Sequence, residues 1–192
     1  MPGTTNDATD EQLMVAFARG SSDAFAELFS RYKQPLFGFF RRRVPDPAHA
    51  EELTQETFLA ILRASSRYEV SALFRTYLYA IAFKILRSHR RKAAFRAMFF
   101  GTDATEPSTD STLDTDISVR DAIAKLDSHD REILLLREFE QLSYGEIAEL
   151  LKLPVNTVRS RLFRARAALH HLLATPAPTS PTTAFATYEE RA

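Results

Sequence analysis

From Asn156 to Arg166 the chain sets Asn156, Thr157, Arg159, Ser160, Arg161, Phe163, Arg164 and Arg166 between the members of an apolar series, Val155, Val158, Leu162, Ala165, Leu169 and Leu172. The series recurs at three and four residues, so the polar set lies on the outer face of one helix. Guanidinium groups fork onto guanine edges or phosphate oxygens, and asparagine, serine and threonine read bases or phosphates at shorter reach. The face therefore suits the major groove of DNA, and the competing reading is a merely solvated arginine-rich helix. A second basic set, Lys84, Arg87, Arg90, Arg91, Lys92 and Arg96, gives six cations with no acid among them. Arg41, Arg42 and Arg43 end an earlier helix, where cations also favour the negative end of the helix dipole, so capping competes with nucleic-acid binding. Catalytic chemistry has no foothold. There is no cysteine and no phosphate-cradling glycine loop, and His49, His89, His129, His170 and His171 show no ligand spacing with facing carboxylates. His49 with Glu52 reads as a helix-surface contact, so no enzyme activity, metal or cofactor is expected.

The 192 residues are 45% hydrophobic and 26% charged, with 25 basic and 25 acidic side chains and a formal net charge of zero. Zero charge excludes binding to nucleic acid by bulk positive field alone and turns attention to how charge is distributed. The absence of cysteine excludes a disulfide framework and fits a reducing compartment. Met1 to Glu11 lacks the basic start and apolar stretch of a signal peptide, and no apolar run approaches the roughly 20 residues of a membrane span. The expected location is the cytoplasm, without membrane insertion.

Long stretches free of glycine and proline predict an all-α protein. The spacing gives helices around 12–19 and 23–43, then one over 47–64 that opens at Asp46-Pro47 and turns Ala50, Leu53, Thr57, Ile61 and Ala64 inward. The other face of that helix carries Glu51, Glu52, Gln55 and Glu56, which reads most simply as a solvated acidic face. A further helix after Ser71 carries Leu78, Ile81, Ala82 and Ile85 as its stripe. Phe25, Leu28, Phe29, Tyr32, Leu36, Phe37, Phe39 and Phe40 read as core. Ser143-Tyr144-Gly145-Glu146 is a capping box that opens a two-turn helix, and Leu153-Pro154 interrupts it before the arginine-bearing helix. Two helices so joined form a helix-turn-helix. Between the modules, Gly101 to Asp116 holds five acids and no cation. Expected domains are a disordered 1–9, a first bundle over 10–98, a flexible acidic linker over 99–116, a second module over 117–173, and a Pro/Thr-rich disordered tail over 174–192.

Leu142 to Leu151 followed by Leu153 to Arg166 resembles region 4 of bacterial RNA polymerase sigma factors. Asp46-Pro47 through Leu59 resembles region 2, and Thr76 to Ala82 resembles its continuation. Order, spacing and size are similar to the extracytoplasmic-function subgroup, which keeps only these two regions.

That resemblance implies an alternative sigma factor whose partners are core RNA polymerase, through the clamp helices of its largest subunit and its flap, promoter DNA, and an anti-sigma factor. Asp46, Glu51, Glu52, Gln55 and Glu56 would then face polymerase. Tyr68, Phe74, Tyr77 and Tyr79 would offer rings to unpaired bases of the minus 10 element, with Lys84, Arg87, Arg90 and Arg91 on its backbone; some of these aromatics must instead be core. Asn156, Thr157, Arg159, Ser160, Arg161, Phe163 and Arg164 would meet the minus 35 element. The family usually has tryptophan at Tyr77, asparagine at Lys84, often aspartate at Ser88, and a glycine in the turn where Asn156 stands. A lysine in place of an amide moves position 84 toward phosphate contact. The acidic linker would either mimic nucleic acid in a basic polymerase channel or serve as a plain tether. The alternative function is a helix-turn-helix regulator that acts without replacing the sigma subunit.

Overall fold

The computed structural model describes residues 8–68, 73–100 and 114–174. Within them lie eight α-helices and no strand: α1 Asp10–Ala18, α2 Ser22–Arg41, α3 Pro47–Ala64, α4 Phe74–Phe100, α5 Asp114–Ala124, α6 Ser128–Glu138, α7 Tyr144–Leu151 and α8 Val155–Ala174. The expected linker and tail fall largely outside the described residues. Their edges differ from expectation: Phe99 and Phe100 belong to α4, α5 already begins at Asp114, and α8 reaches Ala174. At the amino end, Thr9 is not part of a loose terminus, because its hydroxyl accepts from Gln12 N and the Gln12 side chain accepts from Thr9 N, closing a capping box on α1.

Helices α1 to α4 form the first bundle. Its core holds Leu28, Leu36, Phe39, Phe40, Leu53, Ile61, Leu78 and Leu86, each no more than 2% exposed. Gly20, at φ +103°, makes the turn from α1 to α2 in a backbone region that side chains resist. The start of α4 is held from far away in the chain: the Glu11 carboxylate on α1 accepts the backbone N–H of Phe74 at 2.8 Å. Arg31 ties the same corner by donating to Asp10 and Glu27, both at 2.8 Å, and Tyr32 hydrogen-bonds Asp10.

In the second module, Asp127 caps α6 by accepting from His129 N and Asp130 N. Ile133, Leu134, Leu135 and Leu136 are all buried, so α6 is covered on more than one side. The joint between α7 and α8 is made by Lys152, whose φ of 57° is left-handed, with Leu153 N donating back to the Ala148 carbonyl at 2.9 Å. Asn156, expected in this turn, instead lies inside the first turn of α8.

Candidate nucleic-acid interface

Helix α8 buries Val158, Leu162 and Ala165 and leaves Asn156, Arg159, Ser160, Phe163 and Arg164 exposed. Phe163 is 76% exposed. So large an apolar surface on an outward helix, flanked by arginines, is the feature a groove-entering helix offers to a thymine methyl or a sugar. Thr157 is half-buried, and its carbonyl accepts the Ser160 hydroxyl at 3.1 Å. Arg161 departs from expectation. Its guanidinium is turned to α6, 3.0 Å from Asp130 and 3.6 Å from Asp127, so it braces α8 where base contact was expected. Arg164 stays 62% exposed, with Asp130 at 3.8 Å, and Arg166 is engaged by Glu138 at 2.6 Å.

The capping box of α7 is present, with Glu146 Oε2 accepting Ser143 N at 2.7 Å and Ser143 Oγ accepting Glu146 N at 3.2 Å. The other Glu146 oxygen accepts the Thr76 hydroxyl of α4. Burial pushes the Glu146 carboxyl up, but hydrogen bonds from Thr76 and from the Ser143 side chain and backbone outweigh it and hold the group below its ordinary value.

The aromatics around the start of α4 separate into two classes. Phe74 is 1% and Tyr79 3% exposed; they are core residues, unavailable for the base stacking expected of them. Phe74 packs edge-on to Tyr32 at 5.3 Å, and Tyr79 lies 5.5 Å from Phe39 with its phenol pushed up to about 12 by burial and by the nearby Glu140. Tyr68 and Tyr77 are half-buried and meet edge-to-face at 5.2 Å. They remain accessible to an unpaired base. Lys84, Arg87, Arg90 and Arg91 are exposed along the same helix.

Glu51, Glu52, Gln55 and Glu56 form an exposed ridge on α3, opposite the buried Leu53, Thr54, Thr57 and Phe58. Asp46 sits at the end of that ridge, but its carboxylate accepts Ala48 N at 2.8 Å and lies 3.2 Å from His49, so its first task is the cap. Beside the ridge runs a groove between α3 and α4, lined by Glu52, Glu56, His89, Lys92 and Arg96. His89 is held below its ordinary value by burial, then by the charges of His49 and Arg96.

Arg42 and Arg43, read from sequence as capping or nucleic-acid-binding residues, instead meet two acids that sequence reasoning missed, Glu132 and Glu140 of the second module. Arg43 Nε donates to Glu132 at 2.8 Å and its Nη1 to Glu140 at 3.0 Å, and Arg42 donates to Glu140 at 3.1 Å. Partners 89 to 98 positions apart leave no local signal. Among the described residues, no cluster of histidine and carboxylate could hold a metal ion, and no helix is long and apolar enough to cross a membrane.

Comparison with known proteins agrees with this architecture. Residues 28–96 match the model for sigma-70 region 2, and residues 116–169 match that for sigma-70 region 4. The RNA polymerase sigma-H factor of Pseudomonas aeruginosa is 34% identical over 180 residues, covering 85% of this chain and 93% of that one. The extracytoplasmic-function sigma factor SigC of Mycobacterium tuberculosis is 32% identical, covering 86% and 94%. Among solved structures, CnrH in complex with the cytosolic domain of CnrY aligns with a TM-score of 0.65 at 27% identity, over 85% of this chain and 96% of that one. The chain belongs to the sigma-70 family of RNA polymerase sigma factors. Its two-region layout and its relatives place it in the extracytoplasmic-function subgroup, the alternative sigma factors of transcription initiation.

Proposed function

We propose that this chain joins core RNA polymerase in the cytoplasm and directs it to one set of promoters, contributing recognition and strand opening and no catalytic group of its own. The α3 ridge of Glu51, Glu52, Gln55 and Glu56 docks on polymerase. Tyr68 and Tyr77 receive unpaired bases of the minus 10 element while Lys84, Arg87, Arg90 and Arg91 follow its backbone. Asn156, Thr157, Arg159, Ser160, Phe163 and Arg164 meet the minus 35 duplex, with Arg161 as a positioning residue. An anti-sigma partner would hold the protein inactive by covering these faces. The observation that carries the reading is the placement of an exposed acidic ridge and an exposed arginine–phenylalanine face on separate modules of one chain, as a subunit bridging polymerase and DNA requires.

Run-off transcription with purified core polymerase on a promoter library tests it. A specific transcript that depends on this chain is expected, and failure to bind core and to give one would overturn the assignment. At finer grain, Arg164→Ala is expected to weaken binding to a duplex carrying the selected minus 35 element by about 1–3 kcal/mol. Unchanged binding would remove that residue from the recognition set.

A further inference from the structure

We propose that the groove between α3 and α4 is the docking site of this chain's own carboxyl-terminal segment, Phe185 to Arg191, which seats there in the free protein and competes with core polymerase for the acidic ridge. The docking stands on the groove and the segment themselves; only the competition rests on the sigma-factor reading. The last turns of α4 leave three large apolar side chains open within five positions: Phe95 is 58%, Met98 72% and Phe99 62% exposed. The rings of Phe95 and Phe99 lie 4.5 Å apart. Apolar exposure gathered in this way marks a contact surface, and neither the polymerase contacts nor the promoter contacts assigned above use it. Phe95 borders the groove, which holds about 710 Å³. Its α4 wall carries Arg91, Lys92 and Arg96, and its α3 wall carries Glu52 and Glu56.

The two walls decide what fits between them. Carboxylates on one side repel phosphates, so a nucleic-acid strand is disfavoured, whereas a peptide with apolar anchors and charges of both signs is matched. Phe185 and Tyr188 supply the anchors, Glu189 and Glu190 complement Lys92 and Arg96, and Arg191 complements Glu52 and Glu56. The Pro/Thr-rich stretch 175–183 joins this segment to α8, which ends at Ala174. Tyr188 lies 14 positions past Ala174, a reach of about 43 Å at about 3.1 Å per residue of an extended proline-rich chain. A compact body of about 150 residues measures about 40 Å across, so the groove is within range. The tether also keeps the segment at an effective concentration in the ~mM range, and a contact too weak to hold a free peptide then suffices. Glu52 and Glu56 belong both to the groove and to the ridge assigned to polymerase, so an occupied groove withholds part of that ridge.

The chain has no cysteine, so a dye pair on Ala94→Cys, an exposed position of α4, and Thr182→Cys reports the distance between groove and tail in the full-length protein. A dominant short distance is expected in the otherwise unchanged chain. Phe185→Ser combined with Tyr188→Ser should lower the docked-to-undocked ratio at least about tenfold. Lys92→Glu with Arg96→Glu should lower it as well, and adding Glu189→Lys with Glu190→Lys should restore it. The serine double variant should also bind core polymerase several-fold more tightly than the parent. A parent distance that is long, or that the serine variant leaves unchanged, overturns the docking and assigns the groove to another protein. Energy transfer between singly labelled molecules overturns it in favour of a second copy, and failure of the double charge reversal to restore the short distance overturns the pairing across the groove. Docking with unchanged affinity for core overturns the competition. A tail that docks in a chain unable to bind core would refute the sigma reading and leave the docking standing. Efficient transcription by a chain that shows no docked distance would refute the docking alone.

Discussion

Lys152 holds a left-handed backbone at the joint of the helix-turn-helix. A side chain there costs about 1–2 kcal/mol that glycine avoids, although glycine loses more freedom on folding. Lys152→Gly is therefore expected to stabilise region 4 by about 0.5–1 kcal/mol, a net gain typical of an improved helix end. The measurement is the thermal midpoint, and an unchanged or lower value would contradict it. The resemblance puts Asn156 in the turn, whereas the left-handed residue is Lys152 and Asn156 lies in the first turn of α8, because sequence alone does not show which residue past Leu151 turns left-handed. Periodicity was equally unable to sort Phe74 and Tyr79 from Tyr68 and Tyr77. All four border a helix buried on several sides, and only contacts from Tyr32 and Phe39, far away in the chain, decide which rings are enclosed. Where a residue's task is local, as for the cap by Asp46 or the pairing of Ser143 with Glu146, its chemistry and spacing showed it directly.

Helices whose ends are capped from within could be placed to the residue or nearly so: α3 over Pro47–Ala64 and α7 from Tyr144 follow from Asp46-Pro47 and from the Ser143 capping box. Helix α6 could not be drawn as an amphipathic helix, since four successive apolar residues at 133–136 obscure its period and α7 and α8 both pack on it. The start of α4 depends on Glu11, 63 positions away. Removing that acceptor in Glu11→Ala should cost about 1 kcal/mol, as loss of a cap does, and should speed amide exchange in the first turn of α4 more than elsewhere. Uniform exchange rates along α4 would argue against this anchoring. For α7, the Glu146 carboxyl is held below its ordinary value in the folded chain. Its contribution to stability is thus fully present above the ordinary carboxyl range and is lost as pH falls through the depressed value. Thermal midpoints recorded from about pH 5 to about pH 3 should decline less in Glu146→Gln than in the parent; parallel declines would show that the hydrogen bonds to Thr76 and Ser143 do not matter.

At the scale of the molecule, a net charge of zero is the sum of segregated charges: six cations from Lys84 to Arg96, four arginines from Arg159 to Arg166, and five acids from Gly101 to Asp116. The structure pairs part of this set internally, since Glu132 and Glu140 engage Arg42, Arg43 and Arg90, and Asp130 engages Arg161. Counterion release from random duplex grows with the number of cations free to meet phosphates, so this pairing weakens nonspecific attachment and leaves the protein available to polymerase. Free wild-type chain is accordingly expected to bind random duplex weakly at about 0.15 M salt, more weakly than the roughly 10⁻⁴ to 10⁻⁶ M typical of DNA-binding proteins. Glu132→Gln combined with Glu140→Gln releases up to three guanidinium groups, and the slope of log affinity against log salt should steepen by about 0.9 for each one that reaches a phosphate. Titration of a labelled random duplex at several salt concentrations reads both quantities. Tight binding by the wild-type chain, or a slope that does not move in the double variant, would show that the arginines at the end of α2 are not withheld from DNA by region 4.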